Sequence, residues 1–454
     1  MQTTGKVLMI CTYFAPDASI AAIRTTKLAK YLRLHGYHVD FIMEGQKPCG
    51  EDEILRHDAE GISVFRVENS QRFISFVNRY KKWIKPHKEN RFNNFENRRK
   101  LNKKSGQIEF YPFEVAYPVL GSLDYIVEQL RQKDLFREAK KLLKDMEGYD
   151  YVLTSYGESF ACFCGVYFKK HHKNTTWLFD LRDPIYRHKF VPKYIRFIPK
   201  GYEKKIWKNA DVITGVSRGM CKRVPPRFRD KVQLVTNGYD REDLSSVNDW
   251  EMDRDKLHFV YTGSMYGGMR DLSAFFQAVG DLIFQKKIPC ESVQLHFAGN
   301  GPAFEVFKRQ AAVGNLENNC IYHGRLSRRE TMGLQRGADF LLVAAYDYEG
   351  NPEGLITGKI YEYMMADRPV ISVVNGNMTD NELTEIVRKT GVGIAYEESN
   401  HESDYQRLQD YLLMQYERKQ KGNCLLYEPV EEEVEKFDYK VIGNRLVEIL
   451  ENGR

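Results

Sequence analysis

The stretch Gly350-Asn351-Pro352-Glu353-Gly354-Leu355-Ile356-Thr357-Gly358-Lys359-Ile360-Tyr361-Glu362-Tyr363, followed by Asp367-Arg368-Pro369-Val370-Ile371, decides the reading of this chain. A loop rich in glycine and proline runs straight into a helix, expected over 356–366, and then into a strand at 369–374. The free N–H groups of a helix start, at the positive end of its dipole, attract anions. Lys359 adds a full charge in the first turn or so. Glu362, three residues on, shares its face. A carboxylate there repels phosphate but can accept hydrogen bonds from ribose hydroxyls, so the pair suits a nucleotide diphosphate. For an isolated pair, a solvated Lys–Glu couple on a surface helix is the competing reading.

Outward from this stretch, short apolar runs alternate with helical patterns. Strands are expected at 257–262, 293–298, 320–323 and 340–343, with helices at 271–284, 303–313 and 328–337 between them. The first half reads the same way. Its strands are expected at 7–11, 39–43, 151–154, 177–180, 212–216 and 232–235, with an amphipathic helix at 23–35 closed by Gly36. The turn Asn237-Gly238 ends this half, and the polar stretch 241–256 reads as a linker. Strands that alternate with helices make parallel sheets covered on both faces. The fold class is therefore α/β, with two Rossmann-like doubly wound domains and a ligand cleft expected between them.

Composition excludes several classes. No run approaches the roughly 20 apolar residues that cross a bilayer, and 7–11 is too short for a signal peptide. The eight cysteines are scattered. Cys162 and Cys164 have no second pair to make a zinc site, so free thiols in a reducing cytoplasm are expected. The chain carries a net charge of +6, yet 71–105 alone holds twelve Lys and Arg against two Glu. The remainder is slightly acidic, which argues against a nucleic-acid binder. Within that segment Phe73, Phe76, Val77, Tyr80 and Ile84 share a helical face, with Arg79, Lys82 and Lys85 off it and a stop at Pro86. Such a helix either lies on an anionic membrane surface or packs on the first domain. Both readings stay open on sequence.

Other motifs fail. Phe304 stands where Gly299 and Gly301 would need a third glycine for a dinucleotide site. Gly5-Lys6 lacks the earlier glycine and the following hydroxyl of a phosphate loop. Asp253-Arg254-Asp255 interposes a cation between two carboxylates.

The residues above resemble the donor site of glycosyltransferase family 4, where a lysine precedes a "yEY" helix turn and "kPvi" follows. The likeness extends over most of the chain. Tyr13-Phe14-Ala15-Pro16 and His35-Gly36-Tyr37-His38-Val39 are similar to the family's opening, and Asp180-Leu181-Arg182-Asp183-Pro184 to its "D-x-R-D-P" segment. Ala210-Asp211-Val212-Ile213 with Ser217, Asn237-Gly238-Tyr239-Asp240, Tyr261-Thr262-Gly263-Ser264 and Ala298-Gly299-Asn300-Gly301-Pro302 follow in the family's order. The family pattern departs in three places. Gly354 stands at the first of two glutamate positions, beside Glu353. Ser19-Ile20-Ala21-Ala22 replaces a Gly-Gly loop. No histidine matches the family's active-site one.

The resemblance implies a GT-B fold and transfer from a nucleotide sugar with retained configuration. It implies an acceptor domain over 1–242 carrying the basic insertion 71–105, a donor domain over 255–430, and an end segment 431–454 whose helix, expected at 437–450, crosses back. It implies Arg270 and Lys359 as catalytic cations on the diphosphate. Gly263, Ser264, Gly299, Gly301, Glu353, Gly354, Leu355, Ile356, Thr357 and Glu362 would bind the donor. Glu158, Arg182 and Asp183 would lie on the acceptor side. No cofactor and no metal are expected. The partners implied are a nucleotide sugar and a glycan or lipid-linked acceptor in surface polysaccharide synthesis, with no nucleic acid. A cytoplasmic protein, peripheral on the inner membrane face, is the matching location. Two alternatives remain, a nucleotide-sugar epimerase of the same fold and a non-catalytic nucleotide-sugar-binding scaffold.

Overall fold

The computed structural model describes residues 4–45, 50–92, 99–101, 108–110, 118–185, 191, 193–346 and 356–452. Two compact units divide the chain. The first comprises Met1–Val216, Met220–Val235 and Gly443–Arg454, the second Ser217–Gly219 and Thr236–Ile442.

In the first unit the strands are β1 (Gly5–Cys11), β2 (Tyr37–Glu44), β3 (Ser63–Val67), β4 (Arg99–Leu101), β5 (Ile108–Phe110), β6 (Tyr151–Ser155), β7 (Thr176–Leu181), β8 (Val212–Gly215) and β9 (Val232–Leu234). Seven of them form one parallel sheet in the order β3-β2-β1-β6-β7-β8-β9, while β4 and β5 pair antiparallel. Strands buried on both faces need continuous apolar runs. Val7–Ile10, Val152–Leu153 and Trp177–Phe179 supply them at no more than 1% exposure. The order reverses between β1 and β6, which opens the carboxyl ends of those strands to ligands.

A buried ion pair ties this sheet to its first helix, Ile20–Leu34. Arg24 donates through Nε and Nη2 to the Asp180 carboxylate at 3.0 and 2.7 Å, and through Nη2 to the Val235 carbonyl at 2.8 Å. Ser155 and Thr214 hydroxyls donate to the same carboxylate at 2.7 and 2.8 Å. Asp180 thus joins β6, β7 and β8. Burial raises its pKa, but Arg24 and the two hydroxyls outweigh burial and hold it below the usual aspartate range.

The basic segment departs from its expected form. Its helix runs Gln71–Phe92, straight through Pro86. A proline costs one backbone donor and tolerates helical φ, so it need not end a packed helix. The face turned inward holds Phe73, Ile74, Val77, Tyr80 and Ile84, with Phe76 outside it. That face packs on helix Pro118–Leu143, where the Tyr80 hydroxyl donates to Asp124 at 2.7 Å.

The second unit contains β10 (Leu257–Thr262), β11 (Val293–Ala298), β12 (Cys320–Gly324), β13 (Phe340–Tyr346), β14 (Val370–Asn375) and β15 (Gly393–Glu397). They form a parallel sheet in the order β12-β11-β10-β13-β14-β15, a Rossmann order whose switch point lies between β10 and β13. Helix Arg328–Gly337 starts at a Ser327/Glu330 capping box. The supposed linker 241–256 is instead built into this unit. Asp243 is buried, and Trp250 N–H donates to the Gly333 carbonyl at 3.1 Å. Glycines at 333 and 337 allow that approach, because a Cβ on either would fall within 2.4 Å of a backbone oxygen in 248–250. The expected helix 356–366 is shorter, Lys359–Met365. The helix expected near the end runs Tyr439–Asn452. Its later residues group with the first unit, where His35 Nε2 lies 2.7 Å from Asn444 Oδ1.

Three imidazoles cross the second sheet in a row. His258 Nδ1 meets His296 Nε2, and His296 Nδ1 meets His323 Nε2, each at 2.9 Å. His258 Nε2 points to the Asp253 carbonyl at 2.7 Å. Burial, then the two neighbouring rings, lower His296 from 6.5 to about 3.

Two outcomes follow from these buried groups. Asp180→Ala strands the Arg24 guanidinium without its counter-charge and is expected to destabilise the first unit by about 3–5 kcal/mol. A chemical denaturation midpoint within error of the unsubstituted protein would refute the tie. For His296, the unfolded ring takes its proton near pH 6.5 and the folded one only near pH 3. The unfolded state therefore binds more protons in between, and stability falls as pH drops from 6.5. The loss at pH 5 is about 2 kcal/mol for this one site. Unfolding curves from pH 7 to pH 5 should flatten in His296→Gln, and an unchanged slope would remove the ring from the account.

Candidate active site

At the carboxyl end of β10 the chain turns at Gly263, whose φ of +97° only glycine adopts without strain. The Lys359 side chain lies directly against it, since a Cβ there would sit 3.2 Å from both Lys359 Cε and Nζ. Gly263 N–H donates to the Ala298 carbonyl at 2.6 Å, and a Cβ on Gly299 would come within 2.7 Å of the Gly263 oxygen. The loops after β10 and β11 therefore touch through glycine backbone. Gly301 opens the next helix, Gly301–Ala311, capped by Asn300 on Ala303 N–H at 2.8 Å.

Arg270 closes the other side. Its Nη1 donates to the Ser264 carbonyl at 3.0 Å, its Nη2 to Thr357 Oγ1 at 3.3 Å, and its guanidinium lies over the Tyr266 ring. The Tyr261 hydroxyl donates to the same Ser264 carbonyl at 2.8 Å, and Lys359 Nζ stands 5.4 Å from the centre of that tyrosine ring. Lys359 begins its helix with its side chain buried. Burial first, then the neighbouring Arg270, push its ammonium well below the usual lysine range, against a weaker pull from Glu362. Among the described residues neither Lys359 nor Arg270 has a carboxylate within salt-bridge distance. Two basic side chains thus stand side by side without a counter-ion among the described residues, and each disfavours the charge of the other.

Glu362 belongs to a neighbouring group. Burial raises its pKa, while Arg328, Lys359 and Gln335 lower it. Arg328 pairs with buried Asp243, and Gln335 Nε2 donates to Thr262 Oγ1 at 3.4 Å. Arg328, Gln335 and Asp243 were not picked out from sequence. The capping box at Ser327 was a usable signal, because it puts Arg328 at the first turn of a helix beside β12. Asp243 carried no such signal.

The structure thus brings together Gly263, Ser264, Arg270, Gly299, Thr357 and Lys359, with Ile356 leading into the helix and Gly301 and Glu362 on adjoining turns. Glu353, Gly354 and Leu355 lie outside the described residues. In the first unit the residues expected on the acceptor side, Glu158, Arg182 and Asp183, also stand together, at the carboxyl ends of β6 and β7. Arg182 Nη1 donates to the Ala21 carbonyl at 2.7 Å, and its Nε lies 3.4 Å from Asp183. A Cβ on Gly157, next to Glu158, would come within 2.5 Å of Arg182 Nη2 and 3.7 Å of the Tyr13 ring. Tyr13, which sequence reasoning left unassigned, is raised by burial and by Glu158 and Glu44, and lowered by Arg182. Asp180, two residues from Arg182, is committed to Arg24. In the second unit Asp253 accepts from Asp255 N–H at 3.1 Å and pairs with Lys256, which makes it a turn residue.

Residues 256–410, about a third of the chain, match the profile of glycosyl transferases group 1. No curated protein matches the chain in sequence. Several solved structures share the fold across its whole length. Sucrose-phosphate synthase from Thermosynechococcus elongatus superposes with a TM-score of 0.58 at 14% identity, covering 98% of both chains. The E. coli trehalose-6-phosphate structure bound with UDP-2-fluoro glucose gives 0.59 at 10% identity, again covering 98% of both. The lipopolysaccharide outer core galactosyltransferase WaaB gives 0.53 at 15% identity, covering 97% of this chain and 99% of that one. The chain has the GT-B fold of two Rossmann-like units. Its group 1 glycosyltransferase domain and these neighbours together support a glycosyltransferase enzyme.

Proposed function

We propose that the chain is a retaining glycosyltransferase of family 4 type that moves a sugar from a nucleotide-diphosphate donor to a glycan or lipid-linked acceptor. The observation that carries this reading is the buried Lys359 beside Arg270, two cations without a carboxylate partner among the described residues at the switch point of the matched unit. Breaking the anomeric C–O bond leaves charge on the departing diphosphate. Fixed cations in a dry site stabilise that charge more than they stabilise the bound substrate, which is how binding energy becomes rate. In this reading they do so without a metal ion. The glycine backbone of Gly263 and Gly299 lets phosphate approach closely, and Glu362 accepts hydrogen bonds from the ribose. Glu158, Arg182 and Asp183 orient the acceptor. The fold is compatible with such a donor, since one neighbour holds UDP-2-fluoro glucose. The retained configuration, the surface-polysaccharide role and a location on the cytoplasmic membrane face rest on the family resemblance.

A thermal-shift screen against nucleotides and nucleotide sugars tests the reading, because a ligand at 100 times its Kd adds about 2.7 kcal/mol of stability. No shift with any nucleotide sugar would count against it. Lys359→Ala is expected to lower kcat/KM at least about tenfold, equivalent to about 1.4 kcal/mol of transition-state stabilisation. Unchanged kinetics in the folded variant would sink the assignment. Glu362→Gln keeps size and loses charge, so affinity for the free nucleoside diphosphate should weaken by at most about 1.5–3 kcal/mol. Calorimetric titration that finds equal affinity would free Glu362 from the ribose.

A further inference from the structure

Helices Gln71–Phe92 and Pro118–Leu143 of the first unit lie antiparallel. Ser70 donates through N–H and Oγ to Asp134 at 2.8 and 3.0 Å, whereas Tyr80 meets Asp124. Ten residues forward on one side thus correspond to ten residues back on the other. Between them Ile74, Val77, Tyr80 and Ile84 face Asp124, Val127, Glu128 and Arg131 across a groove of about 860 Å³. At 100° per residue, Arg72, Phe76, Arg79 and Trp83 fall roughly 200–260° round from Val77. On the second helix Val119, Leu123, Ile126 and Leu130 fall roughly 200–260° round from Asp124. Because the helices are right-handed and run in opposite directions, both stripes turn to the same side of the pair.

That side is apolar and cationic. Phe76, Trp83, Val119, Ile126 and Leu130 are between 37% and 70% exposed. Arg72, Arg79 and Lys133 are exposed beside them. The acids of the two helices whose side chains the structure describes are engaged elsewhere, Glu138 with Lys141. Asp124 takes the Tyr80 hydroxyl, Asp134 takes Ser70, and Glu128 pairs with Arg131. The first helix has no acidic residue at all from Gln71 to Lys85.

We propose that this face docks the chain on an anionic membrane surface, with Phe76, Trp83 and Ile126 entering the headgroup layer and Arg72 and Arg79 meeting lipid phosphates. It deepens the membrane-face location proposed above by naming the surface, and it does not depend on the sugar chemistry. Large apolar side chains set among cations are the composition that lies in such an interface. A second copy fits poorly, since a two-fold interface would set each arginine stripe against itself. No helix among the described residues is long and apolar enough to cross a membrane, so attachment through this face is peripheral.

Co-sedimentation of the full chain with phosphatidylcholine vesicles, with and without 30 mol% (roughly one lipid in three, enough to set a strong surface potential) phosphatidylglycerol, tests the proposal. The protein should pellet with the anionic vesicles at low salt and be released as salt screens the charge. Phe76→Ser/Trp83→Ser and, separately, Arg72→Glu/Arg79→Glu should each lower partitioning tenfold or more at unchanged circular dichroism. The surface-exposed pairs keep the packed face intact, and the charge pair serves if the apolar pair fails to fold. Vesicle binding that survives both folded variants overturns this face while leaving membrane attachment elsewhere. Failure of the unsubstituted protein to bind anionic vesicles overturns both, with nucleotide binding unaffected. A dimer in solution that Trp83→Ser dissociates, without vesicle binding, assigns the face to a second copy instead.

Discussion

A parallel sheet covered on both faces has no watery side, and everything else in this protein follows from that constraint. Its strands must be apolar along their length, so polar chemistry is driven to strand ends. Gly263 and Gly299 stand at the ends of β10 and β11, Lys359 opens the helix that follows β13, and Arg182 and Glu158 stand at the ends of β7 and β6. Asp180, a charge inside the first sheet, arrives partnered by Arg24, Ser155 and Thr214. The contrast between Asp180 and Lys359 is informative. One buried charge is satisfied by the fold and serves the fold. The other is left beside a like charge, at a cost in stability that a bound anion would remove.

Most of the framework was legible in the sequence because periodicity reports burial. The strand limits of β10 and β11 coincide with their apolar runs, and helix Arg328–Gly337 coincides with its pattern. β3 escaped because it is an edge strand, with Phe65 and Arg66 both exposed, so no continuous run marks it. β15 opens on glycine and is only five residues long, and its register comes from pairing with β14 rather than from its own residues. The stretch 241–256 looked like a linker because its anchors are single residues, Asp243 and Trp250, whose partners lie some 85 residues away on helix Arg328–Gly337.

The site was legible to the extent that it is local. Lys359 and Glu362 share one helix, and Arg270 follows the turn after β10, so spacing brings them forward. Arg328 and Gln335 approach Glu362 only through packing, which no spacing rule reveals. The basic helix shows a further limit. Periodicity correctly gave it two faces, but Phe76 lies only about 40° from Tyr80 on the helical wheel, at the margin between the faces, and only the partner helix decides that it turns outward.

The imidazole row in the second unit imposes direction on its protons. The Asp253 carbonyl can only accept, so His258 must donate from Nε2 and accept at Nδ1. His296 is then forced into the same tautomer, and His323 after it. Three rings that could take eight (two to the third) neutral arrangements in isolation are reduced to one, set from a single backbone oxygen. A proton enters the row at His323 Nδ1, the one ring nitrogen that no link of the row engages, at the far end from Asp253, and tautomer shifts pass its charge along the three rings. The sheet therefore carries a polarity perpendicular to its strands, a vector absent from its backbone hydrogen bonding and written entirely in side-chain tautomers.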